Sequence, residues 1–156
     1  VIAQLAIIVS FQSVILGMSG NVGTQSLAVT IRLLMDENLE TKQKFGMIFR
    51  EMRIGFSNGL ILGFLSFAFI GGYLCLFKDK PPQYAFAISL CAGIALLMAM
   101  TISSIVGTSV PMFFKKINVD PAVASGPLIT TVNDLIGVVT YYGVAWLLLI
   151  NLLHLG

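Results

Sequence analysis

Charge is confined to short stretches of this chain, and that confinement decides what it can fold into. Residues 1–31 carry no charged side chain, nor do 54–77 or 81–114, and residues 121–153 carry only Asp134. A helix needs about 20 apolar residues to cross a hydrocarbon core about 30 Å thick. The sequence therefore predicts four membrane spans, at 1–33, 54–77, 83–113 and 121–153. The first and third are long enough to be tilted, broken or extended into the headgroups. Only 10% of the residues are charged, against about 25% in a soluble domain. The expected fold is an all-α integral membrane protein, a polytopic helical bundle forming a single transmembrane pore domain over residues 1–156.

Three polar connections separate the spans. The first, residues 35–53, holds Lys42, Lys44, Arg50 and Arg53, with Arg32 just before it. Its apolar Phe45, Ile48, Phe49 and Met52 recur at i, i+3, i+4 and i+7, the pattern of an interfacial amphipathic helix over 36–53; an ordinary solvated linker is the alternative. The second connection, KDKPP, reads as a tight turn, and the third is KKINVDP. The first and third lie on one side of the membrane and hold seven Lys and Arg against two in the second. The positive-inside rule places 35–53 and 115–120 in the cytoplasm and both chain ends, including the C-terminus, outside. The chain lacks an initiator Met and opens directly in an apolar run. It is expected to be part of a longer protein, and a cytoplasmic domain upstream would need an odd number of further spans to reach it.

Within the spans, Asp134 stands apart, the one acid where the bilayer core should be. A carboxylate at that depth costs about 2.5–3.5 kcal/mol on insertion scales, and such residues face water-filled paths that handle ions or protons. Around it, Gly126, Thr130, Asp134, Gly137 and Tyr141 follow i, i+4, i+8, i+11 and i+15 and share one helical face, flanked by Thr131 and Asn133. The alternative is a packing stripe whose Asp bonds a neighbouring span. Asp120 followed by Pro121 reads as an N-cap and first helical residue. Pro127 then falls inside the helix, depriving the Val123 carbonyl of its donor and kinking the span.

The first span has its own irregular stretch, LGMSGNVGTQSLAVTIR, with Gly17, Gly20 and Gly23 three residues apart and Asn21, Thr24 and Gln25 among them. Asn21 and Gln25 should face protein or water, and irregular backbone at membrane depth is tolerated only around a cavity or inside protein. A close helix-packing face of the small-xxx-small type is the competing reading.

The donors on offer are oxygens, namely a carboxylate, hydroxyls, amide oxygens and backbone carbonyls, with no His or Cys beside them. Oxygen donors suit magnesium, calcium or manganese more than zinc or copper. Magnesium keeps several of its waters, so one or two carboxylates plus carbonyls would hold the hydrated ion. A symmetric dimer would bring two Asp134 carboxylates together across its axis. Cys75 and Cys91 lie in apolar segments and read as small buried residues, and His154 as an interfacial residue. No nucleophile–base pair, P-loop or metal cluster points to an enzyme. The basic residues are spread over loops rather than gathered on a face for nucleic acid.

Three segments carry a family resemblance that covers nearly the whole chain in order. GMSGNVGTQSLAVTIRLL, REMRIGFSNGLILGFL and DPAVASGPLITTVNDLIGVVTYYG resemble, in turn, the second helix, the third-helix entry and the fifth helix of the transmembrane domain of the MgtE family of magnesium channels and transporters, which is related to an animal solute-carrier family. The resemblance implies a homodimer with five helices per subunit and a pore between subunits, lined by the second and fifth helices. Asp134 matches the pore aspartate that holds a hydrated magnesium ion. Gly17, Gly20 and Asn21 match second-helix positions near that ion that act mainly through backbone carbonyls. Thr130 matches the filter position one turn before the aspartate, and Asp120 an Asp-Pro at the cytoplasmic mouth. Thr24 stands where the family usually has Asn. The family's first helix, and the cytoplasmic N-terminal and CBS domains that sense magnesium in many members, have no counterpart in this sequence.

The resulting expectation is a multi-pass protein of a bacterial inner membrane, working as a homodimer in the bilayer and transporting Mg²⁺. Its metal residues would be Asp134, Gly17, Gly20, Asn21 and Thr130, with Thr24, Gln25, Gly126, Thr131, Asn133 and Asp120 as candidate pore-lining residues. A cation carrier coupled to H⁺ or Na⁺ and a non-transporting assembly subunit are the rival readings.

Overall fold

A computed structural model describes residues 2–35, 41–124 and 127–148. Gly126, His154, the acids Asp36, Glu37 and Glu40 and the end of the last expected span lie outside the described residues. Four long helices result: α1 (Ile2–Leu34), α2 (Thr41–Phe77), α3 (Pro82–Lys116) and α4 (Pro127–Ala145), with a short 3₁₀ turn at Pro121–Ala124. All four contain stretches long and apolar enough to cross a membrane. The chain is an all-α, multi-pass membrane bundle, as its charge pattern predicts.

Helix α2 is 37 residues long, about 55 Å at 1.5 Å per residue, and exceeds the hydrocarbon core. Residues 36–40 lie outside the described residues; the described part of the amphipathic stretch, 41–53, is helical and runs unbroken into the second span as one helix. Its Phe45 and Phe49 are exposed while Met47 is buried.

Helix α3 forms the centre and packs on α1, α2 and α4. Its most apolar stretch is 56% buried, against 22–33% for the other spans. The reason is size: Ala85, Ser89, Ala92, Gly93, Ala95, Ala99, Ser103, Ser104, Gly107 and Thr108 are all buried, and small residues let neighbouring backbones come close where lipid gives helices no hydrophobic reason to associate. Gly107 of α3 packs on the Gly23 carbonyl of α1, and Gly63 of α2 and Gly93 of α3 make a reciprocal backbone contact. A Cβ on Gly63 would stand 2.7 Å from the Gly93 carbonyl oxygen, and one on Gly93 2.8 Å from that of Gly63.

The connections follow local chemistry. Lys80 N–H bonds the Leu74 carbonyl at 3.1 Å, and Pro82 begins α3 where its missing N–H costs nothing. Helix α3 ends in a Schellman motif. Asn118 takes a positive φ of 57°, Val119 N–H reaches the Phe114 carbonyl at 2.9 Å and Asn118 N–H reaches Lys115 O at 3.2 Å. The Lys115 ammonium then bonds the Leu34 carbonyl and caps the C-terminus of α1.

Asp120 caps the following turn as expected, its Oδ1 accepting from Ala122 N–H at 2.9 Å. Pro127 departs from expectation. It is the first residue of α4 rather than an interior one, so it suits a helix start and makes no kink within a helix. The sequence rule for Asp-Pro assigns one helix start at Pro121, where the structure has a 3₁₀ turn over Pro121–Ala124 ahead of α4 from Pro127.

Candidate functional site

Helices α1 and α4 lie antiparallel, and their contacts fix the depth of each polar residue. Tyr141 donates its hydroxyl to the Ile8 carbonyl at 2.6 Å, and Tyr142 donates to Gln12 Oε1 at 2.7 Å. A Cβ on Gly137 would meet Ser19 Oγ at 3.2 Å and Leu16 Cδ1 at 3.4 Å. Asn133 lies against Gly23, and Leu27 and Ile129 share one apolar cluster. Continuing this register sets Asp134 level with Asn21 and Val22, and Thr130 about one turn away, level with Gln25 and Ser26.

At that level the two helices differ in what they expose. On α1, Gly17, Asn21, Thr24 and Gln25 are exposed and Gly20 is half-buried. Nothing lies within 4 Å of where a Cβ on Gly17 or Gly20 would be. On α4, Thr130 and Thr131 are exposed and Asp134 is half-buried, with no described side chain bonded to its carboxylate. Asn133, one residue before Asp134, is buried at 0% exposure. It faces the packing of α1 rather than the open side, and neither Nδ2 nor Oδ1 has a partner among the described residues. Gly137 and Tyr141, on the expected stripe with Asp134, are likewise buried against α1. The stripe is thus shared: its Gly137 end packs, and its Thr130 end is open.

The glycine-rich stretch of α1 is regular helix. Its carbonyls accept helical bonds yet keep a second lone pair each. The Thr24 hydroxyl takes up that capacity at Gly20 and Asn21, donating to both carbonyls at 3.0 Å. Gly17 O has no such competitor among the described side chains.

Asp120 lies at the end of the bundle and lines a cleft of about 420 Å³ with Ile31, Leu34, Lys115 and Pro121. No group of three or more His, Cys, Asp or Glu side chains gathers among the described residues. Cys75 is half-buried and Cys91 buried, and both are free thiols.

One buried acid escaped the sequence reading. Glu51, within the polar connection 35–53, is 3% exposed. Its Oε2 accepts from Ser26 Oγ of α1 at 3.1 Å, and its Oε1 pairs with Arg50 at 3.1 Å. A signal existed: Met47, Glu51, Gly55, Gly59 and Gly63 recur every four residues, so Glu51 continues the buried small-residue row of α2.

Comparison with known proteins bears directly on this geometry. The family model described as "MgtE: Divalent cation transporter" matches residues 12–144, which takes in the exposed face of α1, Glu51 and Asp134 together. The chain belongs to the MgtE family. It is 35% identical over 145 residues to a magnesium transporter MgtE of Enterococcus faecalis, covering 92% of this chain and 30% of that protein. The Bacillus subtilis magnesium transporter MgtE is 35% identical over 146 residues, 91% of this chain and 30% of its own length. For the Thermus thermophilus protein of that name the identity is 32% over 136 residues, 87% of this chain and 28% of the other. The chain therefore spans about a third of the length of these relatives. MgtE proteins are transporters rather than enzymes, in agreement with the sequence expectation.

Proposed function

We infer that this domain carries Mg²⁺ across the membrane through a pore between two copies of the chain, with Asp134 as the central cation site. The observation that carries this reading is the exposed polar face of α1. Asn21, Thr24 and Gln25 are uncovered in the single chain, at the depth of a half-buried and unbonded Asp134. Polar side chains at membrane depth are costly against lipid and face protein or water instead. A second copy packed around a shared axis would cover that face and oppose a second Asp134 to the first. Two carboxylates attract a divalent ion. Asn21, Gln25, Thr130 and Thr131 supply oxygens for its waters, and the carbonyl of Gly17 keeps a free lone pair for the same purpose. Asp120 at the bundle end draws cations toward the entrance. Neither Asn133 nor Gly137 contacts the ion in this reading; both hold α4 against α1 so that Asp134 keeps its depth.

Orientation follows from the basic residues: 35–53 and 115–120 face the cytoplasm of a bacterial cell. The relatives' greater length leaves room for the cytoplasmic regulatory part that the family resemblance implies.

The test is Mg²⁺ uptake into liposomes containing the protein, wild type beside Asp134→Asn, with dimer content measured in both. Loss of uptake with dimers intact supports the pore reading. Normal uptake in Asp134→Asn removes the ion from this site, and loss of the dimer gives Asp134 a packing role. An unbonded intramembrane carboxylate is also able to bind a proton. Uptake that stops when proton and sodium gradients are abolished would replace the channel with a coupled carrier.

A further inference from the structure

We propose that α2 binds the phosphate of an anionic phospholipid headgroup in the cleft between Arg50 and Arg53. The site lies where the helix leaves the hydrocarbon. Residues 54–77 of α2 carry no charge and extend about 36 Å, enough to cover the core, so the turn holding Arg50 and Arg53 falls in the headgroup layer. Nothing in this placement depends on ion conduction.

The cleft has a volume of about 540 Å³. Gly46, Arg50, Arg53 and Ser57, all lining it, follow i, i+4, i+7 and i+11 and share one face of the helix. Gly46 has no atom within 4 Å of where its Cβ would be, which leaves room beside the two guanidinium groups. The arginines are not equivalent. Arg50 gives Nε and Nη2 to Glu51 Oε1, at 3.3 and 3.1 Å, so its charge is partly spent. Arg53 is exposed and bonds no other described side chain, leaving its planar fork for a phosphate, which it fits with two parallel hydrogen bonds. Ser57, one turn on, offers a hydroxyl that is likewise uncommitted among the described residues. Arg53 and Ser57 also line an adjoining cleft of about 250 Å³ with Phe56 and with Thr101 of α3.

The surroundings distinguish a lipid from a free phosphate. Phe49 and Ile54 in the cleft, and Phe56 beside it, are exposed apolar side chains at 58%, 38% and 48%. Ile54 and Phe56 follow the arginines on the side toward the hydrocarbon, where acyl chains leave a headgroup, and Phe49 flanks Arg50 in the headgroup layer. A soluble anion would use the arginines and gain nothing from these three residues. Lys42 continues the face one turn before Gly46 and adds to the attraction for an anionic headgroup.

The experiment is native mass spectrometry of the full chain, delipidated in detergent and titrated with phosphatidylglycerol or phosphatidylcholine. Wild type should retain one phosphatidylglycerol per chain in preference to phosphatidylcholine. Arg53→Gln should lower that retention about fivefold, the effect of one basic residue near an anionic surface. Lys78→Gln, an exposed charge at the other end of α2, should leave retention unchanged. Helical content measured by circular dichroism should be the same in all three. Equal retention of the two lipids, retention undiminished in Arg53→Gln, or an equal drop in Lys78→Gln would each overturn the proposal. Displacement of phosphatidylglycerol by millimolar inorganic phosphate would make the cleft a free-anion site and overturn the lipid assignment.

Discussion

Asn133 packs its amide directly on the backbone of Gly23, where a Cβ on the glycine would come within 2.7 Å of Asn133 Cγ. The contact is one residue from Asp134 and sets how closely α4 approaches α1. Gly23→Ala should destabilise the protein by about 1–3 kcal/mol, the usual cost of forcing an extra methyl into a packed site. The nearest obstacles to that methyl are all atoms of Asn133, so Gly23→Ala combined with Asn133→Ala should cost less than the sum of the two single changes, with a coupling of about 0.5–3 kcal/mol. Unfolding in detergent followed by circular dichroism measures all three. Additive costs would mean that Asn133 does not hold this distance.

Tyr141 ties the other end of the same helix pair. Its hydroxyl is buried and donates to the Ile8 carbonyl, which as part of α1 also has a helical bond. Tyr141→Phe therefore leaves no carbonyl wholly unpaired and should cost only about 0.5–1.5 kcal/mol. Tyr142→Phe removes a bond from a half-buried residue to Gln12 and should cost less. The same unfolding measurement ranks the two; a larger cost for Tyr142→Phe would contradict the burial difference.

The four spans were legible because a bilayer demands runs without charge, and such runs are visible in any order of packing. Asp134 was legible for the same reason, as the exception within a run. Which way each residue faces was less so. Gly137 and Asn133 read as companions of Asp134 in a polar stripe, yet both pack on α1, because small and amide side chains serve helix contact as readily as they line water. Glu51 sits in a segment that its charges mark as polar, and only the four-residue row that continues into Gly55, Gly59 and Gly63 reveals its burial. Pro127 reads as interior because the apolar run continues through it, whereas α4 begins at Pro127.

Gly63 and Gly93 make the tightest reciprocal contact of α2 with α3, each one's Cβ position falling under 3 Å from the other's carbonyl oxygen. Backbone rather than a flexible side chain is the obstacle, so no rotamer change relieves a substitution. Gly63→Ala and Gly93→Ala should each lower stability by about 1–3 kcal/mol or more. Gly72→Ala on the same helix, with nothing within 4 Å of its Cβ position, should be neutral or slightly stabilising through its better helix propensity. Thermal unfolding of the three variants in one detergent makes the comparison, and a cost at Gly72 equal to that at Gly63 would show that the helix contact is not what the glycines serve.

Ser26 of α1 donates its hydroxyl to Glu51 Oε2 of α2 at 3.1 Å, a buried bond that ties the two helices. Removing the two partners should have unequal effects. Ser26→Ala takes the donor from a buried carboxylate oxygen, and an unsatisfied buried group costs about 1–3 kcal/mol, more when charged. Glu51→Gln keeps an acceptor for Ser26 and loses the charge that Arg50 compensates, so it should be the milder change. Glu51→Ala removes the acid altogether and leaves Arg50, which is 53% exposed, to be solvated by water or headgroups. The expected order of destabilisation in detergent unfolding is Ser26→Ala above Glu51→Gln. Because Ser26 adjoins Gln25 on the helix whose exposed face is assigned to the cation path, Ser26→Ala should also reduce Mg²⁺ uptake. Glu51→Gln should retain most of it, since the tie between the helices survives. If Glu51→Gln is instead the more damaging variant in both measurements, the charge of Glu51, and not the bond from Ser26 alone, is what the contact between α1 and α2 needs.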